Sequence, residues 1–291
     1  MKKEYKLRHP VVSGLFYPDR GDALRKEIDT YLERVDRDEL LRTVSEQTGL
    51  DDPSSVQPLA VIAPHAGFMF SGPLQACSYI LLERFQIETV VIIGPAHQTA
   101  FHGISLSKDD AYGTPLGEKA VDVDFAKKII GSGDLFKHFE NAHLGEHAVE
   151  VQVPFIQHVL PDAKIVPVLL GEQNMENAVS LKNAIVIAMK KTGRRTLVVA
   201  STDLSHYHSH VDAQTLDRTV IEAVRKLDPE SLYKDIQDGR AEACGFGGIL
   251  TVLHLARDQG KGKSAILRYT DSGESSGDRR RVVGYLSAVL Y

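Results

Sequence analysis

The chain has 291 residues, 43% hydrophobic and 25% charged, with a formal net charge of -5. That length and mix describe a globular protein of one large or two small domains, and the negative balance argues against broad nucleic-acid binding, which needs a basic face. No apolar run approaches the ~20 residues of a membrane span, and the start MKKEYKLRHP has no apolar stretch behind its lysines, so neither a membrane partner nor a secretory signal is expected.

Residues 22–34 space Leu24, Ile28, Tyr31 and Leu32 at helical intervals, with Asp22 read as the cap. A charged helix is predicted over 36–47, and DDPSSVQP breaks the pattern before a strand at 58–63. Ser71 is read as the cap of the next helix, with Pro73 in its first turn, running through Cys77 and Ile80 to Phe85. Strands follow at 89–94 and 103–107, then a turn or hairpin at DAYGTPLGEK and a short helix over 122–131. In EHAVEVQVPFIQHVLP, Val149, Val151 and Val153 alternate, while Val149, Val153 and Ile156 share a helical face. The helix is preferred, with Pro154 early in it or bending it. KIVPVLLG reads as a strand and NMENAVSLKNAIVIAMKK as the strongest amphipathic helix. A strand at 196–200 precedes helices at 212–226, 229–238 and 245–259. SAILRYT and RRRVVGYLSAVLY close as strands joined by the exposed, mobile loop DSGESSGD. This alternation predicts one α/β domain over 1–291: a mainly parallel or mixed central sheet, helices on both faces, and the closing strands as an antiparallel edge.

Three apolar runs end in loops that carry histidine. PLAVIAPHAG delivers His65, TVVIIGPAHQ delivers His97, and TLVVASTDLSH delivers Asp203 and His206. Loops beyond the carboxyl ends of parallel strands are where open α/β sheets bind, and imidazole suits both metals and proton transfer near neutral pH. Neighbouring parallel strands lie about 5 Å apart, so two such loops can bring His65 and His97 to one ion. The alternative is two separate histidines satisfied in their own loops. Asp203 can fix the tautomer of a nearby imidazole or serve as a helix cap. His208 and His210 read as solvated.

Cys244 stands at a predicted helix start, where amide dipoles would lower its thiol pKa. A small buried apolar residue is the preferred alternative from that segment alone, and Cys77 reads as core. Without a signal peptide, the two cysteines point to free thiols in a reducing, cytoplasmic setting. Glu146 and Glu150 read as a solvated acidic face. His143 and His147 have metal-compatible spacing but no glutamate placed as in the zinc-protease motif. A Walker loop, a dinucleotide fingerprint and a serine elbow are absent.

The segments SGLFYP, APHAG, GPAH, TPLGE, EHAVEVQVPF, STDLSH, the CG of EACG and YTDSGESSGD, in that order, resemble the Memo-like family over nearly the whole chain. Its prokaryotic members are called protein B of the AmmeMemoRadiSam system. The resemblance implies a fold similar to class III extradiol dioxygenases, which use non-haem iron(II). It implies His65, His97 and Cys244 as metal ligands, with Asp203 and His206 beside them and His206 as the acid–base histidine. Glu146 and His147 match a further family motif near the pocket, with no role attached. The dioxygenases use a glutamate where this chain has Cys244. Two imidazoles and a thiolate still suit iron(II), and suit copper and zinc as well. The expected function is a dioxygenase-like, metal-dependent oxidation of a small molecule. The alternatives are an adaptor taking a phosphorylated or anionic peptide in the same pocket, and partnership with a radical-SAM protein.

Overall fold

The computed structural model describes residues 4–291; Met1, Lys2 and Lys3, the charged start, lie outside the described residues. Among the described residues the strands are β1 (Leu7–Arg8), β2 (Ala60–Ala63), β3 (Thr89–Pro95), β4 (Ile104–Leu106), β5 (Ala111–Thr114), β6 (Gly117–Ala120), β7 (Phe136–Lys137), β8 (Lys164–Leu170), β9 (Thr196–Ser201), β10 (His206–His208), β11 (Ser264–Asp271) and β12 (Val282–Leu290). The apolar runs become the middle of a sheet ordered β10-β12-β2-β9-β3-β8-β4-β7, with β11 on β12. Its centre, β2, β9, β3 and β8, is parallel, while β12 runs antiparallel to β2 and β4 antiparallel to β8. The sheet is therefore mixed. β1, β5 and β6 form a small second sheet, and β5–β6 is the hairpin expected at DAYGTPLGEK.

Both faces of the parallel strands are buried, which is why they read as unbroken apolar runs. Ile62, Val91, Ile93, Val198 and Ala200 pack on one side with helices Val123–Ile130, Met175–Thr192, His210–Lys226 and Phe246–Gln259. Their alternates Val61, Ala63, Val90, Ile92 and Val199 face helices Gly21–Glu33, Arg37–Thr48, Phe68–Ile80 and Val153–Val159. Among the described residues, no helix is long and apolar enough to cross a membrane.

Several expectations need correction. β2 and β3 are not neighbours, because β9 lies between them. The helix after β2 begins at Phe68, so Ser71 is inside it and donates Oγ to the Ala66 carbonyl, and Pro73 falls in its second turn. That helix ends at Ile80. Asp22 sits in the first turn of its helix, bound to the Arg20 guanidinium, and Arg20 occupies the cap position. β10, made of HYH, carries no apolar alternation; pairing with β12 makes it a strand.

Candidate metal centre

β2, β9 and β3 end in step: Ala63 lies opposite Ser201, and Ile93 opposite Ala200. The loops carrying His65, Asp203 and His97 therefore leave one edge of the sheet together. The separation by β9 does not keep the imidazoles apart, since their ring centroids are 5.3 Å from each other. Cys244 arrives from the other direction, just before helix Phe246–Gln259. Its loop lies so close to β9 that a Cβ on Gly245 would stand 2.6 Å from the Ser201 carbonyl oxygen, which requires glycine there. The Cys244 amide donates to the Asp203 carbonyl (3.1 Å), and the Asp203 amide donates to Cys244 Sγ (3.3 Å).

Donor atoms of His65, His97 and Cys244 all lie within 4.8 Å of one another. Cys244 Sγ is 3.3 Å from His65 Nε2. A tetrahedral ion with metal–sulfur and metal–nitrogen bonds of ordinary length sets these atoms about 3.5 Å apart, so this edge already has the right size. Glu146 prepares the second imidazole. Its Oε1 accepts from His97 Nδ1 (2.9 Å) and its Oε2 from the His97 amide (2.6 Å), leaving His97 Nε2 with a free lone pair. The residues present fit one soft-to-borderline metal ion.

Electrostatics follow from burial and from Glu146. Burial pushes His65 well below its ordinary pKa, helped by the charges of His147 and His97. Burial pulls His97 down too, but the Glu146 hydrogen bond and charge outweigh it, and the net shift is upward. Glu146 is held at about 2: burial raises it, and His97 together with backbone amides more than reverses this. Cys244 departs from the acidified reading of its segment. Burial, and the charge of Asp203, push its thiol up rather than down. The helix starts only at Phe246, so Cys244 precedes its first turn.

Asp203 is buried, and its Oδ1 accepts from the His65 amide (2.8 Å), so it pins the His65 loop rather than a neighbouring ring. His206 is half-buried, its amide donates to Glu242 (3.3 Å), and its charge bears on both His65 and Asp203. His208 and His210 are not free loop histidines: they pair with Glu242 (2.7 Å) and Asp271 (2.5 Å).

The solvated acidic face does not exist. Glu146 is 2% exposed and Glu150 0%. Glu150 accepts from Arg8 (2.7 Å), the Tyr17 hydroxyl (2.6 Å) and the amides of Val11 and Val12, and so fastens the SGLFYP segment. Phe16 of that segment sets its ring 5.0 Å from His147. His147 is a third imidazole at the centre, stacked 4.8 Å from His97 and set edge-on 5.4 Å from His65. Sequence reasoning gave it no role, although its spacing from His143 and the motif it shares with Glu146 both marked it. His97, Glu146 and His147 also cluster within 4.8 Å, as a flank of the same centre. His143 points elsewhere, to Ser105 Oγ at 2.9 Å. Cys77 is buried, with Sγ 3.3 Å from the Pro73 carbonyl.

Comparison with known proteins identifies the family. A MEMO1 family protein of Methanothermobacter thermautotrophicus is 36% identical over 280 residues, covering 96% of this chain and 98% of the relative. One from Thermotoga petrophila is 34% identical over 290 residues, covering 98% and 99%. The crystal structure of the uncharacterized protein JW3007 from Escherichia coli K12 covers 81% of this chain and 100% of its own, with a TM-score of 0.52 and 13% identity, a likeness of fold alone. A family model described as Memo-like protein matches residues 8–289. That span takes in every loop that feeds the histidine–cysteine cluster, and the chain belongs to the Memo-like family.

Proposed function

We propose that His65, His97 and Cys244 hold a single metal ion, iron(II) first with copper or zinc as alternatives, and that with a redox metal, iron(II) or copper, the protein oxidises a small molecule in a dioxygenase-like reaction. The observation that carries this reading is the convergence of two imidazole nitrogens and one sulfur, from segments remote in sequence, within 4.8 Å. When bound, a redox metal there supplies electron transfer between the substrate and dioxygen, whose two atoms end in the product. The rest is the work of the chain. Glu146 keeps the His97 Nδ1 proton, and Asp203 fixes the His65 backbone. His206, half-buried at the same edge, takes a proton from the substrate or returns one. Phe16 and His147 wall the centre on its N-terminal side.

The test is elemental analysis of anaerobically purified protein, followed by oxygen uptake with aromatic, thiol and peptide substrates. Stoichiometric metal and metal-dependent uptake are expected. Metal-free protein that binds a phosphopeptide tightly and consumes no oxygen would replace this reading with the adaptor.

A further inference from the structure

Behind His65 a chain of buried hydrogen bonds ends on its Nδ1. Ser201 Oγ lies 3.0 Å from His65 Nδ1, 2.6 Å from the Ala148 carbonyl oxygen and 2.8 Å from Gln152 Nε2. Gln152 Nε2 also lies 2.9 Å from the Pro64 carbonyl oxygen, and its Oε1 is 2.8 Å from the Tyr79 hydroxyl. Ser201, Gln152 and Tyr79 are all fully buried.

Two of these partners are backbone carbonyls, which only accept. Pro64 O therefore fixes the Gln152 amide with its nitrogen toward Ser201, and Tyr79 donates to the amide oxygen. Ala148 O takes the one Ser201 proton. Both Ser201 lone pairs then need donors, and those donors are Gln152 Nε2 and His65 Nδ1. The other neutral tautomer of His65 would set two lone pairs face to face where water cannot intervene, an unsatisfied buried pair.

We propose that Ser201, its direction locked by Gln152 and Tyr79, is a positioning residue that holds the proton on His65 Nδ1 and aims the Nε2 lone pair at the metal. The aim at a metal rests on the function proposed above; the place of the proton does not. His97 receives the same service from a charged carboxylate, whereas His65 receives it from a neutral relay.

Long-range 1H–15N correlation spectra of the metal-free protein at about pH 7.5 read the tautomer directly. A pyrrole-like Nδ1 on His65 is expected, with only Nε2 moving when zinc is added. A pyridine-like Nδ1 in the unsubstituted protein overturns the proposal. Ser201→Ala should mix the tautomers and raise the zinc Kd about 10–100-fold, leaving the His97 tautomer unchanged. Ser201→Thr, which keeps the hydroxyl, should return most of the lost affinity. An S201A protein with unchanged tautomer and Kd also overturns the proposal. If S201A does not fold, the spectrum of the unsubstituted protein still decides. A protonated Nδ1 in a protein that binds no zinc would support the tautomer assignment while removing the metal reading.

Discussion

The two ends of the same parallel strands differ in kind. At the amino ends of β3, β8 and β9 a cavity of about 510 Å³ has a mixed lining, in which Glu88, Lys164, Arg194 and Arg195 stand beside apolar residues such as Ile87 and Leu160. Its Arg195–Glu88 pair is loose at 3.7 Å, with side chains 52% and 42% exposed, and a pair so hydrated contributes little. At the carboxyl ends the polar groups are buried, and nearly every proton has an assigned place. What remains there is a set of ligand atoms that face one another: His65 Nε2 and Cys244 Sγ, 3.3 Å apart, with His97 Nε2 beside them. The size of a hole does not locate the chemistry; converging ligand atoms held in place by buried partners do.

The sharpest way to break this contrast is a pair of substitutions at opposite ends. His65→Ala should weaken metal binding by more than about 100-fold, since even supporting partners of ligands cost 10–100-fold, while Arg195→Ala should leave it unchanged. Competition titration with a chelating dye measures both, and equal losses would erase the distinction. Next in size is His206→Ala. Turnover should fall about 10²–10⁴-fold with metal content retained, as loss of an acid–base group requires. If metal is lost as fully as in H65A, His206 is a ligand instead.

Metal affinity should rise with pH. Glu146 holds His97 above its ordinary pKa, so protons compete for that ring at higher pH than for a free imidazole. The Cys244 thiol, pushed up by burial, must also give up its proton. Affinity should therefore fall progressively as pH drops from about 8, and a flat profile from about pH 5 to 8 would contradict imidazole ligation.

The smallest effect sharpens the comparison from outside the centre. Burial holds His143 down to about 3, with the charges of His138 and Arg8 adding to it. A depressed imidazole contributes stability that is complete above its ordinary value, near pH 6.5, and is lost as pH falls toward 3. His143→Gln should make the acid loss of urea stability shallower across that window, with or without metal. An unchanged acid limb would show that His143 carries no such linkage.

Much of this was legible in the sequence because it is local. The runs that became β3, β8 and β9 announce buried strands, and Pro64 and Gly67 mark where the first histidine loop begins. Motif order carried the ligand set as far as a resemblance. What escaped depends on partners distant in the chain. Glu150 looked solvated because nothing nearby in sequence reveals Arg8 and Tyr17 closing over it. The acidified reading of Cys244, the less favoured of the two, fails because the helix begins one residue later than predicted and because desolvation was invisible. Ser71 looked like a cap because the helix begins at Phe68, ahead of it, without any side-chain cap. The Ser201–Gln152 relay lies in segments that read as packing, and His147 was marked by spacing and motif without a role.

The most direct measurement is metal content per chain after anaerobic purification, compared across the unsubstituted protein, Cys244→Ser and Cys77→Ser. Convergence of Cys244 with His65 and His97 predicts near-stoichiometric metal in the unsubstituted and C77S proteins and a large loss in C244S. Equal metal in both cysteine variants, or none in the unsubstituted protein under any iron, copper or zinc supplementation, would contradict it.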